Sequence, residues 1–238
     1  MQSFYDLQPG TMLNHQYRIT AFLGRGWEGE VYKVEEKRTG IVRAIKLFYK
    51  KRHVKQSPQI AYAKKLYKLR SCPIIIRYHH QDRAKMKDNT QLDFLVSDFV
   101  DGQVLSKYLA AQKHGRLAPF EALHLFYALV KGVEQIHFLK EYHGDIHSEN
   151  IIIKRKGLGY EVHLIDLLHL GRPTKEQIQG DVIDLINVFY EMIGGSRCYK
   201  KMPDYIKKII LGRKHSLICC KFHNASDLRI YLENLLWD

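Results

Sequence analysis

The hydrophobic periodicity of this 238-residue chain shifts from mostly strand-like to mostly helical at Gly102, and that change limits the folds open to it. Upstream, "YRITAFLG" (17–24) and "GEVYKVEEK" (29–37) alternate apolar and polar residues, the period-2 pattern of half-buried strands. Gly40 breaks the chain before a third such run, "IVRAIKLFY" (41–49). A helix with a strongly basic face is predicted from about Pro58 to Arg70, and two further short strands near 74–79 and 92–99. Downstream, Phe120, Leu123, Phe126, Leu129, Val133 and Ile136 recur every three or four residues, which is one face of a long helix. "NIIIK" (150–154) and "EVHLID" (161–166) bracket Gly157 and Gly159 as a strand pair. Residues 181–193, "DVIDLINVFYEMI", are apolar on nearly every side, which predicts a buried helix stopped by Gly194-Gly195. Strands followed by helices give an α+β, two-lobed layout.

Composition narrows the class. The chain is 45% hydrophobic and 26% charged, as ordinary globular proteins are, and long enough to bury a core. No apolar stretch approaches the roughly 18 residues of a membrane span. Met1–Asp6 lacks a basic-then-apolar leader pattern. Four cysteines (Cys72, Cys198, Cys219, Cys220) make neither a disulfide framework nor a zinc pattern, so a reduced, cytoplasmic location is expected. Charge is the unusual property: 38 basic against 25 acidic residues give +13. The bases cluster at Lys50-Lys51-Arg52, at Lys64, Lys65, Lys68 and Arg70, at Lys200-Lys201 and at Lys207-Lys208. Such a field draws an acidic protein, nucleic acid, anionic lipid or nucleotides, or it is only a solvated surface. No nucleic-acid-binding motif selects among these.

Four short motifs carry chemistry. "GRGWEGEV" (24–31) is G-x-G-x-x-G-x-V between two predicted strands, where a dinucleotide-binding fold would open a helix. Backbone amides in such a hairpin can approach phosphates without Cβ interference. "AIK" (44–46) sets Lys46 on the next strand, facing what lies under the hairpin. "YHGDIHSENIII" (142–153) reads as a metal site, a general acid/base site or a polar turn before a strand. "LID" ends a strand with Asp166. Taken singly, each has a plain structural alternative.

In this order the four resemble the signature set of the protein kinase superfamily, specifically its compact bacterial-type serine/threonine kinases. The resemblance covers essentially the whole chain. "LVSDFVDGQVLSKYL" is similar to the hinge and the helix after it, and "GDVIDLINVFYEMIGG" to the buried helix of the second lobe. It implies one kinase domain over 1–238, with an antiparallel β-sheet N-lobe (1–100) and a mostly helical C-lobe (101–238). It implies ATP and Mg2+ as cofactors, and a protein substrate. Gly24, Gly26 and Gly29 would cover the triphosphate, and Lys46 would hold its α/β oxygens. Val31, Ala44 and Ile152 would sandwich the adenine, with backbone groups of Asp98 and Val100 on its edge and Ser97 as a small gatekeeper. Asp145 would take the acceptor proton, Asn150 and Asp166 would bind Mg2+, and Asp181 would brace the catalytic loop.

Four departures stand out. The helix acid that normally pairs with the strand lysine is missing, since no acidic residue lies between Lys46 and Pro73. Asp166 alone, Glu28 or Glu30 of the hairpin, or a partner protein could serve instead. Gly144 replaces the arginine that reads a phosphorylated activation loop, so loop phosphorylation is not the expected switch. His147 replaces the catalytic-loop lysine, as in small-molecule phosphotransferases, and histidine changes charge near neutral pH where lysine does not. Leu168 stands where a glycine is usual, and Asp181 follows Asp166 by only 15 positions, which truncates the segment that cradles a peptide. A protein serine/threonine kinase is the first reading; a small-molecule or lipid kinase, or an ATP-binding pseudokinase, is the alternative.

Overall fold

The computed structural model describes residues 4–26, 28–49, 57–86, 89–157, 159–168 and 173–235. Lys50-Lys51-Arg52 lies outside the described residues. The chain divides into two compact units, one of Met1–Arg70 and Ile76–Val100, the other of Ser71–Ile75 and Asp101–Asp238.

The first unit is an antiparallel six-stranded sheet, in the order β1-β2-β3-β4-β6-β5. Its strands are β1 (Met12–Leu13), β2 (Tyr17–Arg25), β3 (Gly29–Glu36), β4 (Val42–Phe48), β5 (Tyr78–Lys85) and β6 (Gln91–Asp98). The alternation seen in the sequence sorts residues onto two faces. Tyr17, Ile19, Tyr32, Val34, Ile45, Leu47, Phe94 and Val96 form one core, each side chain contributing about 1.5–3 kcal/mol by leaving water. Outward-facing Arg18 pairs with Glu35 at 3.0 Å across β2 and β3. Two register shifts in that hairpin, between Ile19 and Ala21 and between Phe22 and Gly24, mark bulges that add twist.

Helix α1 (Ser57–Lys68) buries Tyr62, Ala63 and Leu66, with Leu69 just beyond it, at the three-to-four spacing of one helical face. Its basic face is narrower than the sequence suggests. Lys64 and Lys68 are exposed, whereas Lys65 is 8% exposed and belongs to the buried side.

The strand expected near 74–79 begins only at Tyr78. Ile74 and Ile75 are β-branched and apolar, but they pack with the helical unit: Leu164 N–H donates to the Ile74 carbonyl at 2.7 Å, and Ile75 bridges Leu164. Ile74 also fills the notch left by Gly132, where a Cβ would lie 2.2 Å from Ile74 Cδ1. The true edge strand, "YHHQDRAK", is polar, as strands at a sheet edge often are, and so gave little apolar signal.

In the second unit a three-stranded sheet, β7 (Gln103–Val104), β8 (Ile151–Lys156) and β9 (Gly159–Leu164), accompanies the helices. After α2 (Leu105–Ala111), α3 (Pro119–Phe138) starts with proline in its first turn, where a missing N–H costs nothing, and buries Leu123, Phe126, Leu129, Val133 and Ile136. Phe120 departs from that face: it is 59% exposed and packs against His124.

Helix α4 (Lys175–Met192) begins six residues before the expected start, at a capping box of Thr174 and Gln177. Its Phe189 stacks on Phe126 at 4.4 Å, and Gly194 and Gly195, at φ 94° and 59°, end it. Short helices α5 (Ser196–Tyr199), α6 (Asp204–Ile210) and α7 (His215–Lys221) follow, then α8 (Ala225–Glu233), capped by Asn224. Among the described residues no helix is long and apolar enough to cross a membrane.

Candidate active site

On the first unit, strand register gathers most of the predicted nucleotide residues. Val31 pairs with Lys46, Ala44 with Ser97 and Lys46 with Leu95, and directly opposed residues share a face. Val31, Ala44, Lys46 and Ser97 therefore lie on the face opposite the sheet's core cluster. Gly29 is fixed by packing alone: a Cβ there would lie 1.8 Å from the Leu47 carbonyl oxygen. Gly24 and Gly26 are different, since a Cβ at either would meet nothing within 4 Å. Asp98 ends β6, its N–H donating to the Arg77 carbonyl and its carboxylate pairing with Arg43 (2.6 Å) and His79 (2.7 Å). Val100 follows, half-buried, at the end of this unit.

Two hairpin acids were open as partners of Lys46, and the structure separates them. Glu28 Oε2 lies 2.9 Å from Lys46 Nζ. Glu30 is fully buried and faces elsewhere. It accepts from the hydroxyls of Tyr32 and of Tyr49 (3.0 Å), from Arg25 Nε (3.2 Å) and from the Tyr5 and Asp6 amides. Burial and the Glu30 carboxylate push the Tyr49 phenol up to about 12.

On the second unit, residues 143–150 form a loop tied down by backbone bonds. Asp181 on α4 is fully buried, and its carboxylate accepts from the His143 and Gly144 N–H groups, both at 2.7 Å, with His137 Nε2 at 3.1 Å. Three such partners satisfy a carboxyl group whose burial would otherwise be costly. Gly144 sits at φ 86°, and a Cβ would meet the Tyr142 ring at 2.7 Å, so neither the backbone nor the space suits an arginine.

Asp145 follows, half-exposed. Asn150, at the end of a 3₁₀ turn over Ser148–Asn150, donates from Nδ2 to Asp145 Oδ2 (2.9 Å) and to the Asp145 carbonyl (3.0 Å). His147 starts that turn: its Nδ1 accepts from the Glu149 N–H, and its Nε2 lies 3.5 Å from Asp145 Oδ2. Asp166 adopts the left-handed backbone conformation (φ 56°), which aspartate tolerates better than most residues. Ile152, between buried Ile151 and Ile153 on β8, faces the other way and is half-buried, with its Cγ2 2.7 Å from where a Cβ on Gly102 would lie.

Three contributors were not singled out from the sequence. His143 is fully buried, accepts from the Asp145 N–H at Nδ1 and, through Nε2, reaches the Ile165 carbonyl at 3.1 Å; its own carbonyl accepts from Leu168. It thereby links the loop to the chain on both sides of Asp166. Ser148 Oγ donates to Glu191 at 2.8 Å, a second tie to α4. Asp184 accepts from the Ile146 N–H, and burial beside Asp181 pushes its carboxyl up to about 6. Its place three residues after Asp181 was the available signal, because that spacing shares a helical face.

Comparison with known proteins gives the following likenesses. The family description "Protein kinase domain" matches residues 17–186. Calcium-dependent protein kinase 4 of Plasmodium berghei (strain Anka) is 28% identical over 195 residues, 77% of this chain. The chain spans only 35% of the length of that relative. "Probable serine/threonine-protein kinase YbdM" of Bacillus subtilis (strain 168) is 27% identical over 229 residues, covering 89% of this chain and 83% of that protein. Among solved structures, the kinase domain of Mycobacterium tuberculosis PknI, as a double mutant, aligns with a TM-score of 0.66 at 17% identity. That alignment covers 95% of this chain and 97% of the other, and at such identity it is a likeness of fold.

Proposed function

Because this chain belongs to the protein kinase domain family, we propose that it is an ATP- and Mg2+-dependent kinase that phosphorylates serine or threonine hydroxyls of a protein. The observation that carries this reading is the loop holding Asp145. Its carboxylate is oriented by Asn150, and its backbone neighbours are pinned by buried Asp181. A general base has to be held this way before a substrate arrives.

Asp145 accepts the proton of the attacking hydroxyl while that oxygen bonds to the γ-phosphorus and the bond to ADP breaks. The amides around Gly24, Gly26 and Gly29 would meet the triphosphate, and Lys46 would hold its α/β oxygens. Val31 and Ala44 would contact the adenine and backbone groups of Asp98 and Val100 would meet its edge, while Ile152 is the second unit's candidate for an adenine contact. His147, beside Asp145, supplies positive charge near the transferring group when protonated.

Asn150 and Asp166 suit Mg2+, because both offer hard oxygens. The Asn150 Nδ2 is committed to Asp145, which leaves Oδ1 as the amide's ligand atom. When bound, Mg2+ neutralises charge on the transferring phosphoryl.

A second reading, in which the acceptor is a small molecule, is favoured by His147 and by the 15 positions between Asp166 and Asp181. One experiment separates the two. ATP with Mg2+ at about 100 times its Kd raises the unfolding free energy by about 2.7 kcal/mol. Labelled ATP is then offered with serine/threonine-containing proteins or with small alcohols. Label in protein supports the first reading, label in small alcohols alone supports the second, and no stabilisation by millimolar nucleotide contradicts both.

A further inference from the structure

A carboxylate that faces Lys46 lies in the hairpin. In the family pattern a helix carboxylate does this, but α1 carries no acid. What α1 brings to the lysine is Tyr62, a ring 2% exposed whose centroid lies 4.8 Å from Lys46 Nζ. An aromatic face attracts an ammonium but supplies no net negative charge. The carboxylate comes from Glu28, in the turn between β2 and β3, at 2.9 Å.

Glu28 is held at both ends. Its carbonyl accepts from the Tyr49 N–H at 2.9 Å, and Gly29 next to it lets β3 approach β4 closely. The Glu28 and Lys46 side chains are 23% and 11% exposed, so the pair is shielded more than a surface ion pair and constrains its members more.

We propose that Glu28 is the positioning residue that aims Lys46 at phosphate, with Tyr62 as the floor beneath the ammonium. This rests on the kinase reading above and deepens it. Alignment of the lysine and placement of the glycine-rich turn become one event, because both partners belong to the hairpin and its neighbouring strand. Movement of α1 neither makes nor breaks an ion pair with Lys46. The sheet carries out a task that elsewhere falls to a mobile helix.

The pair is tested first without any activity. A zero-length carbodiimide joins contacting carboxylates and amines, so peptide mapping of the nucleotide-free protein should find Glu28 linked to Lys46. Absence of that link overturns the proposal whether or not the protein transfers phosphoryl groups. If the link forms in a protein that transfers nothing, the kinase reading fails and, with it, the role in catalysis, while the pair stands.

Kinetics then test the role. Glu28→Gln should lower kcat by about 10²-fold, the usual loss for a misplaced reactive group, with a much smaller change in KM for ATP. Glu28→Asp should retain an intermediate rate. In the Glu28→Gln background, Tyr62→Glu should restore part of it by returning a carboxylate from the helix side. Glu35→Gln, which removes an acid paired with Arg18 at the far end of the same hairpin, should behave as wild type. An unchanged kcat in Glu28→Gln, or tighter ATP binding with faster turnover, would make Glu28 a bystander or a lock and overturn the proposal. If Glu28→Gln fails to fold, the wild-type cross-link and Glu28→Asp kinetics still decide.

Discussion

Asp181 and Asp184 sit one turn apart on α4 in unlike surroundings. Asp181 lies among donors, two of them loop amides at 2.7 Å. Truncating it to alanine strands those amides, at about 1–3 kcal/mol each, so Asp181→Ala should lose about 2–5 kcal/mol in a urea titration and most phosphoryl transfer with it. Asp184 has its pKa raised to about 6 by burial and by the charge of Asp181. A carboxyl raised in the folded state stabilises below its unfolded pKa, and that contribution is lost as pH rises through about 6. Asp184→Asn keeps an acceptor for Ile146 but cannot ionise. It should therefore match wild-type stability near pH 4 and exceed it by about 1–2 kcal/mol at pH 7, after discounting for solvent screening. Denaturation series at the two pH values check this; equal stabilities at both would contradict it. That Asp145 and Asn150 meet was legible in the sequence because one short loop holds both. The choice between Glu28 and Glu30 was not, since two residues apart they would share a strand face. Glu28 escapes that rule because β3 starts only at Gly29.

At the scale of elements, the glycine-rich hairpin separates architecture from function. Gly29→Ala would press a methyl into the Leu47 carbonyl and should destabilise the sheet. Gly26→Ala has open space around it, so melting should stay within about 0.5 kcal/mol of wild type while KM for ATP rises. Thermal denaturation beside ATP kinetics distinguishes the two; equal effects of both substitutions on melting would contradict this division. The strands and long helices were readable because period 2 and period 3.6 are local signals. Two misreadings had physical causes. The start of α4 lies in a polar first turn, where Thr174 and Gln177 cap the helix without adding to the apolar run. The edge strand β5 was displaced toward isoleucines that the other unit uses.

For the whole molecule, the two-part organisation was visible as a change of period at Gly102. The assignment of Ser71–Ile75 to the helical unit was not, because it depends on pairing with Leu164, far along the chain. The +13 charge remains a property of the exterior: Lys64, Lys68, Arg70, Lys200, Lys201 and Lys208 are all exposed. Such a field favours anionic encounters and weakens with salt, without selecting a partner. The role of Asp145 is decided by the initial rate at which label passes from the γ-position of ATP, with Mg2+, to a serine/threonine protein acceptor, in wild type and in Asp145→Asn. Wild type should transfer label, and the variant should lose about 10²–10⁴-fold with ATP binding retained. Equal rates in the two proteins would contradict that role.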